Sequence, residues 1–329
     1  MKKGGLSTRY GLSLNTQSGS LENRIIALEK TIETLKKDDS GSTIDITKIF
    51  ETSVKPRTNL LSCKVKEKTW KGLTSFNGRN IWTDGENIYY SSGSNQYILN
   101  KTTSVWKAKT WKGLTSFYGQ DIWTDGENIY CSTGNVVNGT LRHFSYILDK
   151  TSFTWNEITT WGNLLPRSGD LIWTDKENIY SSCVVYDDPE QYIFNKTTNI
   201  WEQKQWTGTK LFQGYNVWSD SENIYYSSEN TQYVLNKTTS TWQGKIWKGL
   251  TSFDGQNIWS NGEEIYYSDG ENQYVLNKTT STWQPKVWNG ITSFDGANMW
   301  TDGENIYYSN GENQYNFIFN LMSTSAKMK

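Results

Sequence analysis

Along most of the chain, apolar side chains come in short runs alternating with polar ones and cut off by turn residues. Ile88-Tyr89-Tyr90-Ser91, Gln96-Tyr97-Ile98-Leu99 and Val105-Trp106 make one such set. The breaks around them are Thr-Asp-Gly-Glu-Asn before Ile88, Ser-Gly-Ser-Asn after Ser91 and Asn-Lys-Thr-Thr after Leu99. Short runs rich in rings and β-branched residues, bounded by Gly and Asn, predict strands joined by tight turns. With Ile81-Trp82 ahead of them, the set predicts four strands. Gly85 and its equivalents are placed for a positive φ.

The set then repeats. A Trp before Thr or Ser recurs as Trp82, Trp123, Trp173, Trp218, Trp259 and Trp300, at spacings of 41, 50, 45, 41 and 41. A second series, Trp70, Trp111, Trp161, Trp206, Trp247 and Trp288, keeps the same spacings. A third, Trp106, Trp155, Trp201, Trp242 and Trp283, closes five units, and together the series account for all 17 Trp of the chain. The tryptophans are therefore framework. Six units of four strands predict a β-propeller, residues 59–329, because a ring of blades leaves no open end. The sixth unit has no third Trp; its place falls near Ala326, and its outer strand looks poor. Asn59–Trp70 reads as an orphan outer strand, so it is expected to pair into the last blade and close the circle.

One stretch has a different period. Leu21, Ile25, Leu28, Ile32 and Leu35 are spaced 4, 3, 4, 3, an a/d seam over residues 20–37. It predicts a short helix that either forms a parallel dimer or trimer or packs on the propeller or a partner. Residues 1–19 read as an extended arm and residues 38–58 as a linker around Asp38-Asp39-Ser40-Gly41-Ser42.

Composition narrows the function. The 329 residues carry 33 Lys/Arg against 34 Asp/Glu, net charge −1, so no bulk field draws nucleic acid. No stretch approaches the length of a membrane span, and the basic N-terminus lacks the apolar run of a secretion signal, so membrane insertion and secretion are not expected. Cys63, Cys131 and Cys183 show no metal or redox spacing and read as reduced apolar side chains.

Candidate chemistry is sparse. The single histidine, His143, lies in what reads as an inserted loop, and no metal site, catalytic residue or cofactor is expected. The recurring Asp-Gly-Glu lacks the further oxygen ligands of a calcium loop. The Asn-Lys-Thr sequons at Asn100, Asn195, Asn236 and Asn277 recur at one turn and read as turn residues.

A binding face is sought where units differ. Units 1, 5 and 6 are close copies; unit 2 has eight extra residues between strands two and three, and unit 3 has four. Because strands alternate in direction, these loops and those entering strand one share one end of the ring. The candidates there are Arg142, His143, Phe144, Arg167, Tyr186, Asp187, Asp188 and Tyr215.

The stations Ile-Tyr-Tyr-Ser through Gln-Tyr-Val-Leu-Asn-Lys-Thr-Thr to Trp resemble the Kelch repeat over about residues 60–320. That resemblance implies a Kelch-like propeller. Kelch units carry a double Gly after the second strand; here a single one stands (Gly93, Gly134, Gly270, Gly311), and Val184 and Glu229 replace it in two units. Arm, oligomerising helix, joint and six-bladed head together resemble a phage or viral appendage protein. The expected function is a non-enzymatic fibre or receptor-binding protein of a virion, assembled in the host cytoplasm. Its N-terminus would dock on other virion proteins and its head on a host-surface glycan or receptor. The alternatives are a cellular Kelch-like interaction scaffold and a propeller-type glycan-active enzyme.

Overall fold

The computed structural model describes residues 62–320, apart from 138–139, 162–167, 176, 186–187, 210–211 and 221. The arm, the helix with Leu21, Ile25, Leu28, Ile32 and Leu35, and the linker lie outside the described residues.

The chain forms an all-β propeller of six blades, each an antiparallel sheet with a four-stranded ladder. Blade 1 holds β2 (Ile81–Thr83), β3 (Ile88–Ser92), β4 (Asn95–Asn100) and β5 (Val105–Ala108). Blade 2 holds β6 (Ile122–Thr124), β7 (Ile129–Val137), β8 (Thr140–Asp149) and β9 (Thr154–Glu157). Blade 3 holds β10 (Ile172–Thr174), β11 (Ile179–Val185), β12 (Asp188–Asn195) and β13 (Ile200–Gln203). Blade 4 runs from β14 (Val217–Ser219) through β15 (Ile224–Ser228) and β16 (Thr231–Asn236) to β17 (Thr241–Gly244). Blade 5 runs from β18 (Ile258–Ser260) through β19 (Ile265–Gly270) and β20 (Asn272–Asn277) to β21 (Thr282–Pro285), and the two-residue β22 (Phe294–Asp295) joins it beside β19.

Blade 6 holds β23 (Met299–Thr301), β24 (Ile306–Asn310) and β25 (Asn313–Asn320), and takes its outer strand from the other end of the chain, β1 (Ser62–Glu67). Val65 of β1 faces Phe317, as Trp283 faces Leu276 in blade 5. A small Val thus fills the third Trp station, and Phe317 supplies the missing ring from the neighbouring strand.

The three Trp series have distinct tasks. The first sits on each innermost strand, and its indole N–H donates to a Ser hydroxyl nine residues on: Trp82 to Ser91 at 2.8 Å, and likewise Trp123–Ser132, Trp173–Ser182, Trp218–Ser227, Trp259–Ser268 and Trp300–Ser309. Each of these rings packs on a Tyr of the same blade, as Trp82 does on Tyr89 at 4.4 Å between centroids. Rings of the second and third series fill the space between blades. Trp111, for example, joins Trp82 and Tyr89 of blade 1 to Trp155 of blade 2. Large rings matched at interior density bury much apolar area per residue, so the chain holds a six-part core with few aliphatics.

The turns follow the same economy. Gly85 takes φ +95°, and Asp84 Oδ1 accepts the N–H groups of Glu86 (2.9 Å) and Asn87 (2.6 Å) while Oδ2 accepts the Tyr89 hydroxyl (2.8 Å). The Asp-Gly-Glu carboxylate is thus committed to its own turn. Asn100 and its equivalents likewise accept a backbone N–H within their turns, as Asn100 does from Thr103 at 3.0 Å.

Candidate functional site

Six single 3-10 turns, Gly78–Asn80, Gly119–Asp121, Gly169–Leu171, Gly214–Asn216, Gly255–Asn257 and Gly296–Asn298, lead into the innermost strands. Each touches the next, and the sixth touches the first, so they ring the axis. The leading Gly is required by this closeness: a Cβ on Gly119 would overlap the Asn80 carbonyl, and one on Gly78 that of Asn298. The middle residue of each turn is free of that constraint and changes around the ring: Arg79, Gln120, Asp170, Tyr215, Gln256, Ala297. Arg79 is exposed and the others are half-buried.

Ahead of the turns of blades 1, 2, 5 and 6 the entering segment docks on the preceding blade's second hairpin. Phe117 N–H donates to Gly93 O (3.1 Å), and Gln96 Nε2 donates to both Gly93 O (2.6 Å) and Phe117 O (3.3 Å). The same bonds join Phe253 to Glu229 and Phe76 to Gly311. The hairpins between second and third strands and the loops entering first strands therefore meet on one face. The Asp-Gly-Glu and Asn-Lys-Thr-Thr turns lie at the opposite strand ends.

On this face, blade 2 stands out. The stretch read as an inserted loop is regular ladder: Gly134 pairs with His143, Asn135 with Arg142, Val136 with Leu141 and Val137 with Thr140. His143 is therefore a strand residue, half-buried, and not a solvated loop side chain. Arg142 is exposed and Phe144 half-buried beside it on β8. The register keeps the extension paired to its tip because each added residue on β7 gains a partner on β8. Blade 3 extends by less, through Cys183–Glu190, Val184–Pro189 and Val185–Asp188 pairs, which places Asp188 at the start of β12.

The remaining candidates are dispersed. Arg167, Tyr186 and Asp187 lie outside the described residues. Tyr215 sits on the inner turn of blade 4 and packs against the blade 4–5 core. Burial first, then the charges of Asp170 and Asp254, raise its hydroxyl above the ordinary tyrosine value. So the structure brings Arg142, His143 and Phe144 together on β8, and groups Tyr215 with the inner ring. Sequence reading missed Arg79, Gln120 and Asp170. Their signal was available, since aligning the units on the invariant Gly exposes a neighbour that keeps changing.

Among the described residues, no three His, Cys, Asp or Glu side chains gather as metal ligands. Cys131 and Cys183 are buried, Cys63 is partly buried, and all three are free thiols. Burial pushes the Cys63 thiol up to about 12, against opposing effects of Lys286 and a backbone hydrogen bond at Ile318. A thiol so shifted is a poor nucleophile at neutral pH.

The chain matches no described protein family and no curated protein sequence. Among solved structures it is similar to the extracellular domain assigned to a one component system of B. thetaiotaomicron, at 14% identity and a TM-score of 0.43. That match covers 72% of this chain and 31% of the other, so the chain spans under a third of that protein's length.

Proposed function

We propose that the protein is a non-enzymatic recognition head, Kelch-like in its repeat, that binds a host-surface glycan or receptor through the face carrying the second hairpins. One observation supports this above the rest. The six units share their Trp, Tyr, Asp and Asn framework, while ladder extensions and changed side chains collect on one face of blades 2 to 4. Arg142, His143 and Phe144 on β8, with the varied inner ring, offer charge, hydrogen bonding and ring faces together, the mixture that orients a polar ligand.

In this reading the N-terminal arm docks on other virion proteins, and residues 20–37 join two or three heads. Linked heads of modest affinity then grip a repetitive cell surface far better than one. The protein is assembled in the host cytoplasm and works on the virion.

The test is binding of the full-length chain, displayed on beads, to an array of bacterial surface glycans. Saturable binding reduced about tenfold or more by Arg142→Ala is expected, the scale of one lost charged hydrogen bond. A blank array would exclude glycan recognition by this face.

A further inference from the structure

At the boundary of blades 5 and 6 the recognition face is cut by a cleft of about 520 Å³. Small-ligand sites span roughly 300–1,000 Å³. One wall is the segment entering blade 6, including Thr292, Ser293 and Asp295; the other is the β24–β25 hairpin, with Tyr308, Asn313 and Tyr315.

Several of these side chains have no task in the fold. Phe294 and Tyr308 are core, but Thr292, Ser293 and Asn313 are exposed and, among the described residues, make no side-chain hydrogen bond. Tyr315 packs one side against the blade 6 core but is only partly buried, and its ring stands 6.3 Å from that of Tyr308 at 32°. Most telling is Asp295. In units 1 and 5 the equivalent side chain is used for docking: Asn77 Oδ1 accepts the Gly311 N–H at 2.9 Å, and Asp254 Oδ1 accepts the Glu229 N–H at 3.0 Å. In unit 6 the same segment docks by strand pairing instead, Asp295 opposite Asp269 and Phe294 opposite Gly270. Among the described residues the Asp295 carboxylate therefore has no hydrogen-bond partner, and it borders the cleft, half-buried. Burial raises the Tyr308 hydroxyl above its ordinary value, a bond with Asn310 opposes this, and the nearby charge of Asp295 adds to it.

From this lining we infer that the blade 5–6 cleft binds one neutral sugar residue, with Asp295 and Asn313 on its hydroxyls and the Tyr315 ring against its apolar face. The chemistry limits the ligand. Among the described residues no Lys, Arg or His lines the cleft and one carboxylate does, so phosphate, sulfate and sialic acid are repelled. A carboxylate accepts from two vicinal hydroxyls, an amide both donates and accepts, and a tyrosine ring covers C–H groups. This site rests on the reading of the face as a glycan-binding surface, but on residues distant in sequence from the β7–β8 hairpin.

Saturation-transfer NMR on the full-length chain tests it, using the methyl glycosides of glucose, galactose, mannose, fucose and N-acetylglucosamine, with methyl sialoside as the anionic probe. Transfer to at least one neutral glycoside is expected, with none to the sialoside. Asp295→Asn, which keeps the side-chain shape and the β22 pairing, weakens binding about tenfold or more. Asn313→Ala, at an exposed position, weakens it as well. Absence of transfer to all five neutral glycosides overturns the inference, as does transfer that neither Asp295→Asn nor Asn313→Ala reduces, or a preference for the sialoside. If array binding depends on Arg142 while no neutral glycoside binds here, the cleft fails and the recognition reading stands. If neither assay shows binding, both fail.

Discussion

Blades 5, 6 and 1 form one arc of the ring, and blades 2, 3 and 4 the other. The first arc repeats itself almost residue for residue, with Gly-Leu/Ile-Thr-Ser-Phe entering each blade and short second hairpins such as Ser92–Asn95 and Asn310–Asn313. The second keeps the same Trp stations and inner glycines but lengthens its hairpins in blades 2 and 3 and changes the loops entering blades 3 and 4, while blade 2 keeps Gly113-Leu114-Thr115-Ser116-Phe117. Both arcs close the same core. What differs touches neither the Trp stacks nor the inner ring of backbone contacts. The lesson is that the fold and the differences between units occupy separable sets of positions, and the repeat makes the sets visible within a single chain.

If so, damage to the framework should not respect the arcs. Gly119→Ala and Gly255→Ala, one in each arc, both push a Cβ into a neighbouring carbonyl, of Asn80 and of Asn216. Backbone meets backbone there, so neither partner can yield cheaply. Each is expected to cost more than about 4 kcal/mol and to abolish the cooperative thermal transition. A protein that tolerated one of the two would break the equivalence of the arcs.

Next in size are the Trp stations. Trp155→Ala in blade 2 and Trp283→Ala in blade 5 each empty a fully packed site, and each is expected to destabilise by about 3–5 kcal/mol in denaturant unfolding. Smaller again are the serines that pair with the first Trp series. Ser268→Ala leaves the Trp259 N–H buried without its acceptor, at about 1–3 kcal/mol. Ser132→Ala should exceed it, because Ser132 also bonds Ser145 Oγ at 3.0 Å.

The smallest effect concerns acid. At Asp84 and Asp125 burial favours the neutral carboxyl, but the backbone N–H groups of the turn and a tyrosine hydroxyl outweigh it and hold both below the usual carboxylate range. Such groups stabilise the fold above the unfolded aspartate value of about 4 and lose that contribution as pH falls through the lowered folded value. Unit 5 has Asn261 at this station, accepting the same two N–H groups from Glu263 and Glu264. Asp84→Asn therefore imitates a turn the chain already uses. It should leave the neutral-pH melting temperature within a few degrees and flatten its fall below about pH 4. An unchanged acid profile would show that this carboxylate takes no part.

Much of this architecture was legible because each blade repeats the same rings and turns. Six units, four strands apiece and the framework role of every Trp could be counted from residue numbers. The absent third Trp of the last unit also pointed to a borrowed strand, although no spacing could show that Phe317 would stand in for lost bulk opposite Val65. Legibility ended where one unit leans on the next. Asp295 and Asp254 look alike in sequence, yet one carboxylate holds a neighbouring backbone N–H and the other is left beside a cleft. The inner 3-10 ring was hidden for the same reason. The β7–β8 extension was misread as a loop for want of weight on Asn138-Gly139, a dipeptide that favours tight hairpins.

The most direct test of the recognition face is a transplant between the arcs. Residues 134–143 are replaced by the Gly-Ser that occupies the same place in blade 1, and binding of the full-length chain, displayed on beads, to the array of bacterial surface glycans is measured beside the parent. The melting temperature is expected to hold within a few degrees while array binding drops about tenfold or more. Undiminished binding by a correctly folded transplant would contradict it, and would place recognition away from the divergent arc.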